Sequence, residues 1–498
     1  MGGSRQIVLS VHCSQITSKF TDKKNFMKKS FIIAALFVLT IAPCGVKGQS
    51  IVDNGLFYHS FRSPFSNRLN PALFPGQSGW YVTTAKTDVA VGLPLSYNDL
   101  GLEYDEVRDV TTLNLNNLIK NLKENGSNFV VNADMDILGF GFTVKDKLHF
   151  SASSGVKIDN SMAIPLGVLD LLTQGNVNPM GHVDFGADNI LNSQAYFYAS
   201  ISGAMKLPKL PVTIGARFNL LDGIVAASVD NLSVDLKTSQ DIHQMQLTSD
   251  YKLHLAGIPT LENLDDLGSL DFNNIVENLS FPKNLGFTFD IGAKAKVGIL
   301  DLSLSIKDLG PGIHWTTNPI TIVPKTQDVT ITFDGVDLST LLTNGKIDTS
   351  FLSNWKDSLM AMIDYTSESE DYWYSMPTHL YMGASATIAK FMRLGFLFQG
   401  LWQNGWFSNH HVDTPPFACN NTLSLHFNIF NWLELAAANS FTYDGNHFAF
   451  LNPGASVTVG LGGRFQLFAS VEYLSSLYLT ELKSAHVVFG INMVGLKK

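Results

Sequence analysis

Asp134, Asp136, Arg217, Lys294 and Lys296 each fall in the polar phase of an otherwise apolar alternating stretch. If those stretches close into a cylinder, the charges face its lumen. Both signs occur, so they either line a path without strong anion or cation selection or pair across a filled interior. His149 with Ser151, and His426 with Ser424, could place a base beside a nucleophile in the same phase. Polar residues are expected on every lumen face, so these pairs carry almost no specificity. His410-His411 with Asp413 has metal-ligand residue types, but neighbours in extended chain point to opposite sides and no second spaced pair accompanies them. A solvated loop is the better reading. There is no His-Glu-x-x-His, Cys-x-x-Cys, Gly-x-Ser-x-Gly or phosphate-cradling loop. The sequence therefore predicts no catalytic residue, no metal, no cofactor and no enzyme.

The elements that would position these residues follow from composition and pattern. Of 498 residues, 45% are hydrophobic and only 15% charged, well below the share of about 25% in ordinary globular chains. Mean hydropathy is positive, at +0.11. Ample apolar surface excludes a disordered chain. Three cysteines exclude a disulfide scaffold, and a net charge of −9 excludes a nucleic-acid binder with a basic face. A helical membrane protein needs several apolar runs of about 20 residues, and one candidate exists, near the N-terminus. An apolar chain without long apolar runs, rich in Gly and Phe, suits a membrane β-barrel.

The N-terminal run reads as a leader. Met27-Lys28-Lys29 is a basic start, Phe31 to Ala42 an apolar core, and Val46 and Gly48 the small residues of a cleavage site before Gln49. Residues 1–26 precede a complete signal peptide, as if the start had been placed too early. Ile41-Ala42-Pro43-Cys44 loosely resembles a lipobox, but Pro43 stands where that motif needs Gly, Ala or Ser. Removing 1–48 leaves Cys419 as a lone thiol.

In lipid every backbone N–H and C=O must be paired, so an exported membrane protein without helical spans must close a sheet on itself. Each strand then alternates apolar toward lipid with small or polar toward the lumen. Val212, Ile214, Ala216 and Phe218 alternate with Thr213, Gly215, Arg217 and Asn219; similar runs cover 195–206, 422–429, 465–473 and 485–493. The run from Val131 changes phase between Ile137 and Leu138, which predicts a β-bulge or a strand leaving the bilayer. Six connections are short, at 145–147, 208–210, 298–299, 389–391, 430–432 and 462–463; those between them are long. Short turns at one end and long loops at the other is the outer-membrane arrangement, with the short turns periplasmic. The turns join twelve strands, and segments near 79–95 and 485–495 make fourteen. Further alternation in 224–256 leaves open an extracellular extension or an extra hairpin giving sixteen. Leu113–Leu122 and Leu352–Ile363 read as helices capping the mouth. Trp373, Tyr374, Trp402, Trp406 and Phe407 fall near extracellular strand ends, where an aromatic girdle is the expected use and an apolar docking site the sharper one.

Residues 51–78 lack alternation. Pro64, Pro71 and Pro75 fix backbone angles and remove donors, so this is a poor strand. A lumen plug and a periplasmic tail are the two readings the residues leave open. The run Arg68-Leu69-Asn70-Pro71-Ala72-Leu73-Phe74-Pro75 contains an Asn-Pro-Ala signature that resembles the FadL-like long-chain fatty-acid transporter superfamily. Leu304-Ser305-Ile306-Lys307-Asp308-Leu309-Gly310 with Trp315, and Val91 to Ser96, resemble a Bacteroidota outer-membrane family catalogued as a domain of unknown function. The resemblance spans nearly all of the chain after the leader. It implies a fourteen-stranded barrel with an N-terminal hatch over 49–78, the barrel itself filling 79–498. It also implies a hatch site at Asn70, Pro71, Ala72 and Phe74, and uptake of hydrophobic small molecules past a shifting hatch. Type IX secretion shuttle barrels belong to the same superfamily, so a scaffold holding another envelope protein through its loops is the alternative. Expected partners are outer-membrane lipid and a hydrophobic small molecule, or an envelope protein on the alternative; no nucleic acid is expected.

Overall fold

The computed structural model describes residues 53–496, apart from 75–77, 106–109, 126, 165–166, 168–181, 185–190, 239–243, 258–282, 326–327, 333–341, 344–345, 348–364, 403–416, 431, 444–447, 463 and 477. The leader, the helix expected over 352–363, the His410-His411-Asp413 loop, Trp406 and Phe407 lie outside the described residues.

Fourteen antiparallel strands close into a barrel. They are β1 (Ser78–Gly92), β2 (Asn128–Val144), β3 (Leu148–Ala163), β4 (Leu191–Lys206), β5 (Val212–Thr238), β6 (Asn284–Val297) and β7 (Leu300–Trp315). The circuit continues through β8 (Thr378–Ala389), β9 (Met392–Trp402), β10 (Phe417–Ile429), β11 (Leu433–Tyr443), β12 (Phe448–Leu461), β13 (Phe465–Glu472) and β14 (Ser484–Leu496). β1 closes it, pairing with β2 on one side and with β14 from Ser78↔Leu496 to Gly92↔Ser484 on the other. No edge is left, which is what lipid demands of a sheet.

The period-two pattern sorts side chains by solvent. On β6, Leu285, Phe287, Phe289 and Ile291 are exposed on the outside, while Thr288 and Asp290 are buried within. The six short turns join consecutive strands at one end. Around that end Trp80, Phe391, Phe430 and Trp432 are exposed, and the Phe430 and Trp432 rings stack at 6.0 Å. This is aromatic placement suited to headgroup level.

β2 carries the irregularity that its phase change predicts. The register with β3 shifts between Asp136↔Gly155 and Leu138↔Ser154, so Ile137 and Leu138 both face outward, 57% and 53% exposed. The alternation in 224–256 is an extension, not a pair of extra barrel strands. The far part of β5 pairs with Gln244–Ala256, which in turn pairs with Ile320–Pro324 and Asp328–Thr332. A helix at Leu115–Asn125 lies at the long-loop end, with Ile119 and Leu122 buried.

Candidate functional site

Residues 53–74 fill the lumen as a plug of short turns, with a 3-10 turn at Leu56–His59 and a helical turn at Ser66–Leu69. Pro64 and Pro71 and the two short helical turns keep this stretch from joining the sheet, so its backbone groups need other partners. The barrel wall supplies them.

The first half is held by two carboxylates. Gly55 N–H donates to Glu472 Oε2 at 2.8 Å. Glu434 takes the Ser60 hydroxyl at 2.9 Å and the backbone N–H groups of Phe61 and Arg62 at 3.0 Å each. Asp53 pairs with Lys307 at 3.0 Å and accepts from Tyr381, while its carbonyl takes Gln399 Nε2 at 2.6 Å. Phe57 and Phe65 pack with Phe468 and Val488, and Arg393 lies 4.0 Å over the ring of Phe61.

The second half is held by two arginines. Arg68 reaches from the hatch to Asp136 at 2.5 Å and also donates to Ser153. Arg217 reaches in from β5, donating to the carbonyls of Arg68 (2.8 Å) and Asn67 (2.6 Å) and pairing with Asp290 at 3.2 Å. Ser305 donates to the carbonyl of Leu69 at 2.8 Å.

Asn70, Pro71 and Ala72 form a buried turn. Asn70 Oδ1 accepts from Ala72 N–H at 2.9 Å, and its amide donates to Tyr58 Oη at 3.1 Å and to the Leu304 carbonyl at 3.2 Å. Two wall glycines make room for it. A Cβ on Gly215 would come within 2.5 Å of Pro71 C, and one on Gly292 would overlap Asn70 Oδ1. Phe74 lies beside His149, ring centroids 5.7 Å apart.

Asp134, Asp136 and Arg217 therefore lie around the hatch; Asp134 accepts from Tyr198 at 2.9 Å and sits 3.4 Å from Lys86. Lys294 shares the lumen face of β6 but pairs with Asp301 at 3.4 Å, away from the hatch turn. His149 bonds Thr143 at 3.1 Å, while Ser151 bonds Asn67 of the hatch. His426 lies 3.2 Å from Ser424 Oγ and 3.3 Å from Glu434, the connectivity of a serine–histidine–acid relay. Glu434 is already occupied by the hatch, and Ser424 is buried beneath it, so in this state the group clamps the plug. Arg68, Glu434 and Glu472 were the anchors that sequence reading missed. The available signal was a carboxylate in the lumen phase of a strand with no cation nearby in sequence.

The Asp308-Leu309-Gly310 stretch shapes the far end. Asp308, Gly310 and Gly312 all have positive φ, at 61°, 153° and 83°, and the register of β6 with β7 shifts here. The kink buries Ile313 and Trp315 together in one cluster with Tyr196, Leu221 and Met376, flanked by Tyr374. A Cβ on Gly223 would come within 2.5 Å of the Trp315 ring. Trp373 points outward, stacked on His314 at 4.6 Å.

A family model described as a family of unknown function (DUF5723) matches residues 71–472. The chain belongs to that family. The Asn-Pro-Ala, Val-Gly-Leu-Pro-Leu-Ser and Asp-Leu-Gly motifs pointed to a family of this kind. No curated protein matches the chain. Solved structures with a similar course include a Pseudomonas aeruginosa FadL homologue, at 10% identity and TM-score 0.42, covering 90% of this chain and 99% of that one. The Ralstonia pickettii toluene transporter TbuX matches at 10% identity and TM-score 0.41, covering 91% and 99%. The Pseudomonas putida toluene transporter TodX matches at 9% and 0.39, covering 90% and 98%. At this level of likeness no ligand passes from those proteins to this DUF5723 chain.

Proposed function

We propose that this DUF5723 chain is an outer-membrane barrel that takes up hydrophobic small molecules and is shut in this state by its own N-terminal segment. On this reading 27–48 is a cleaved export signal, 49–78 the hatch and 79–498 the barrel, and the protein is not an enzyme. One observation carries the reading. On the lipid side of β2 to β6 lies a groove of about 660 Å³, walled by Phe140, Phe142, Phe150, Ile201, Phe218 and Phe289. Its lining also includes Ser151, Ser202 and Arg217. The same three residues bond Asn67 of the hatch, Arg217 at 2.9 Å and Ser151 at 3.2 Å. The apolar groove and the hatch thus share one stretch of wall. An apolar molecule released by a shifting hatch would find its low-energy solvent directly outside. The hatch is held mostly by polar contacts, which water can replace when it moves.

The decisive experiment uses liposomes bearing Asn67→Cys/Ser202→Cys protein. Uptake of a fluorescent fatty acid should stop on oxidation and return on reduction. Uptake unaffected by the crosslink, or none in the reduced protein, would overturn the proposal.

The packing of the lumen favours a second reading. Asn70 and Ala72 are 0% and 1% exposed, and the described cavities bordering the hatch hold about 110, 40 and 10 Å³. No apolar tunnel runs beside Asn70–Ala72 among the described residues. A barrel that never opens would serve as a scaffold for an envelope protein, and in-cell crosslinking from the long-loop end would then capture the same partner whether the hatch is locked or free.

A further inference from the structure

Above the hatch the lumen holds a cavity of about 110 Å³ whose chemistry the uptake of a purely apolar molecule does not use. Asp53, Asp88, Asp134 and Asp159 line it, with Lys157 and His486. Two of the nearby cations are each shared by two carboxylates. Lys86 sits 3.2 Å from Asp88 and 3.4 Å from Asp134; Lys157 is 3.2 Å from Asp159; Lys307 is 3.0 Å from Asp53 and 3.8 Å from Asp308. Five carboxylates thus share three ammonium groups. Two imidazoles complete the set, His486 against Asp88 and His379 at 3.9 Å from Asp53 and 4.0 Å from Asp308; with both neutral the carboxylates outnumber the cations.

A second, independent observation points to a ligand. Gln194 lines the same cavity, is 2% exposed, and has no hydrogen-bond partner for Oε1 among the described residues. Its amide nitrogen is turned to Met376 Sδ at 3.8 Å, which leaves the carbonyl oxygen as the free acceptor. A buried acceptor left without a donor is unfavourable. The cavity wants a cationic hydrogen-bond donor. A bare metal fits poorly, because no group of three metal-ligating side chains close enough to hold an ion occurs among the described residues. Ala90, Val130, Pro377 and Leu401 offer an apolar side for a short alkyl group, next to the polar Asn132, Asn160, Ser161 and Asn192.

We infer that this cavity is a binding site for a primary ammonium group carrying a short apolar tail. The ammonium lies among Asp88, Asp134 and Asp159 and donates to Gln194 Oε1; the tail lies toward Leu401. This deepens the uptake reading and rests on it: the molecules admitted would be amphiphiles with an amine head, held directly above the hatch.

The test is calorimetric titration of the full-length protein in a non-ionic detergent with butylammonium, butyrate and butan-1-ol at neutral pH. Butylammonium should bind and the other two should not. Asp159→Asn and Gln194→Leu should each weaken it by about tenfold or more, the loss expected of one hydrogen bond to a charged group. Butylammonium binding no better than butyrate overturns the inference, and that comparison in the unmodified protein stands whether or not a variant folds. An affinity unchanged in both folded variants overturns it too. Uptake of a neutral hydrocarbon into liposomes, measured alongside, separates the two readings. Hydrocarbon uptake without amine binding sinks this site alone, and amine binding without any uptake sinks the transport reading alone.

Discussion

Arg68 and Asp136 meet at 2.5 Å at the level where β2 carries its bulge, so the irregularity in the strand and a clamp on the hatch share one height in the wall. Tyr198 also donates to Asp136, and the pair is thereby tied to β4 as well. A bulge bends its strand and raises the local twist. Here it sets a carboxylate where the hatch arginine can reach it.

Removing the carboxylate tests that clamp. Breaking a buried pair typically destabilises by about 3–5 kcal/mol. The Arg68 side chain is 21% exposed and keeps Ser153, so the lower end applies. Asp136→Ala should loosen the hatch without opening the sheet. Thiol labelling of an Asn67→Cys reporter should speed up, while the barrel keeps its heat-modifiable migration in detergent gels. Equal labelling rates would show that the pair does not hold the hatch.

The Asn-Pro-Ala turn depends on missing side chains in the wall. Gly215→Val places branched carbon against Pro71, already at 2.5 Å from a single added Cβ. Overpacking of this kind destabilises by about 1–3 kcal/mol. The turn should be displaced, and protease cleavage within 53–74 should appear. A control at Gly298, whose added Cβ meets nothing within 4 Å, is not neutral, because its φ of 66° strains any side chain. Gly203→Ala is the better control, its nearest contact being Phe150 at 3.9 Å.

Trp315 closes the far end of the lumen, 0% exposed. Trp315→Ala removes its ring from the cluster with Tyr196 and Met376 and should destabilise by about 3–5 kcal/mol. The unfolding midpoint in guanidinium should fall, and the intrinsic fluorescence of the folded protein should lose a buried, blue-shifted component. If the emission maximum does not move, Trp315 is not buried.

How much of this could be read beforehand depends on the range of each interaction. Strand phase, the six short turns and the bulge at Ile137 are local, because a strand records lipid and lumen on alternate residues. The fourteen-strand count followed from the turns. The plug was legible as a stretch that cannot be a strand. Its anchors were not. Gly55 and Glu472 are 417 positions apart, and Ser60 and Glu434 are 374 apart. No local pattern couples them. Arg217 could be placed on the lumen face, but that its target is the hatch backbone depends on where 67–68 lie. In the sequence the Asp-Leu-Gly motif is a resemblance alone. Its physical content, three positive φ angles that tip Trp315 inward, needed backbone geometry.

At the long-loop end one ion pair sets a pH dependence. Asp99 lies in the 3-10 turn Tyr97–Leu100, outside the spanning strands, and Lys483 approaches it at 2.8 Å. Partial burial alone would push the Asp99 carboxyl up. Hydrogen bonds from Lys483 and from the Ser96 N–H and hydroxyl outweigh it, and the net shift is downward from the ordinary carboxylate value. A carboxylate lowered on folding contributes stability that is fully present above its unfolded value, about 4, and is lost as pH falls through its lower folded value. The turn 96–101 should therefore keep slow amide exchange, corrected for intrinsic rates, from neutral pH down to about 4, and open below that. Asp99→Asn should show the faster exchange at every pH, with Lys483→Met close behind. Protection of 96–101 that is unchanged by pH in the unmodified protein would show that Ser96 capping alone holds the turn.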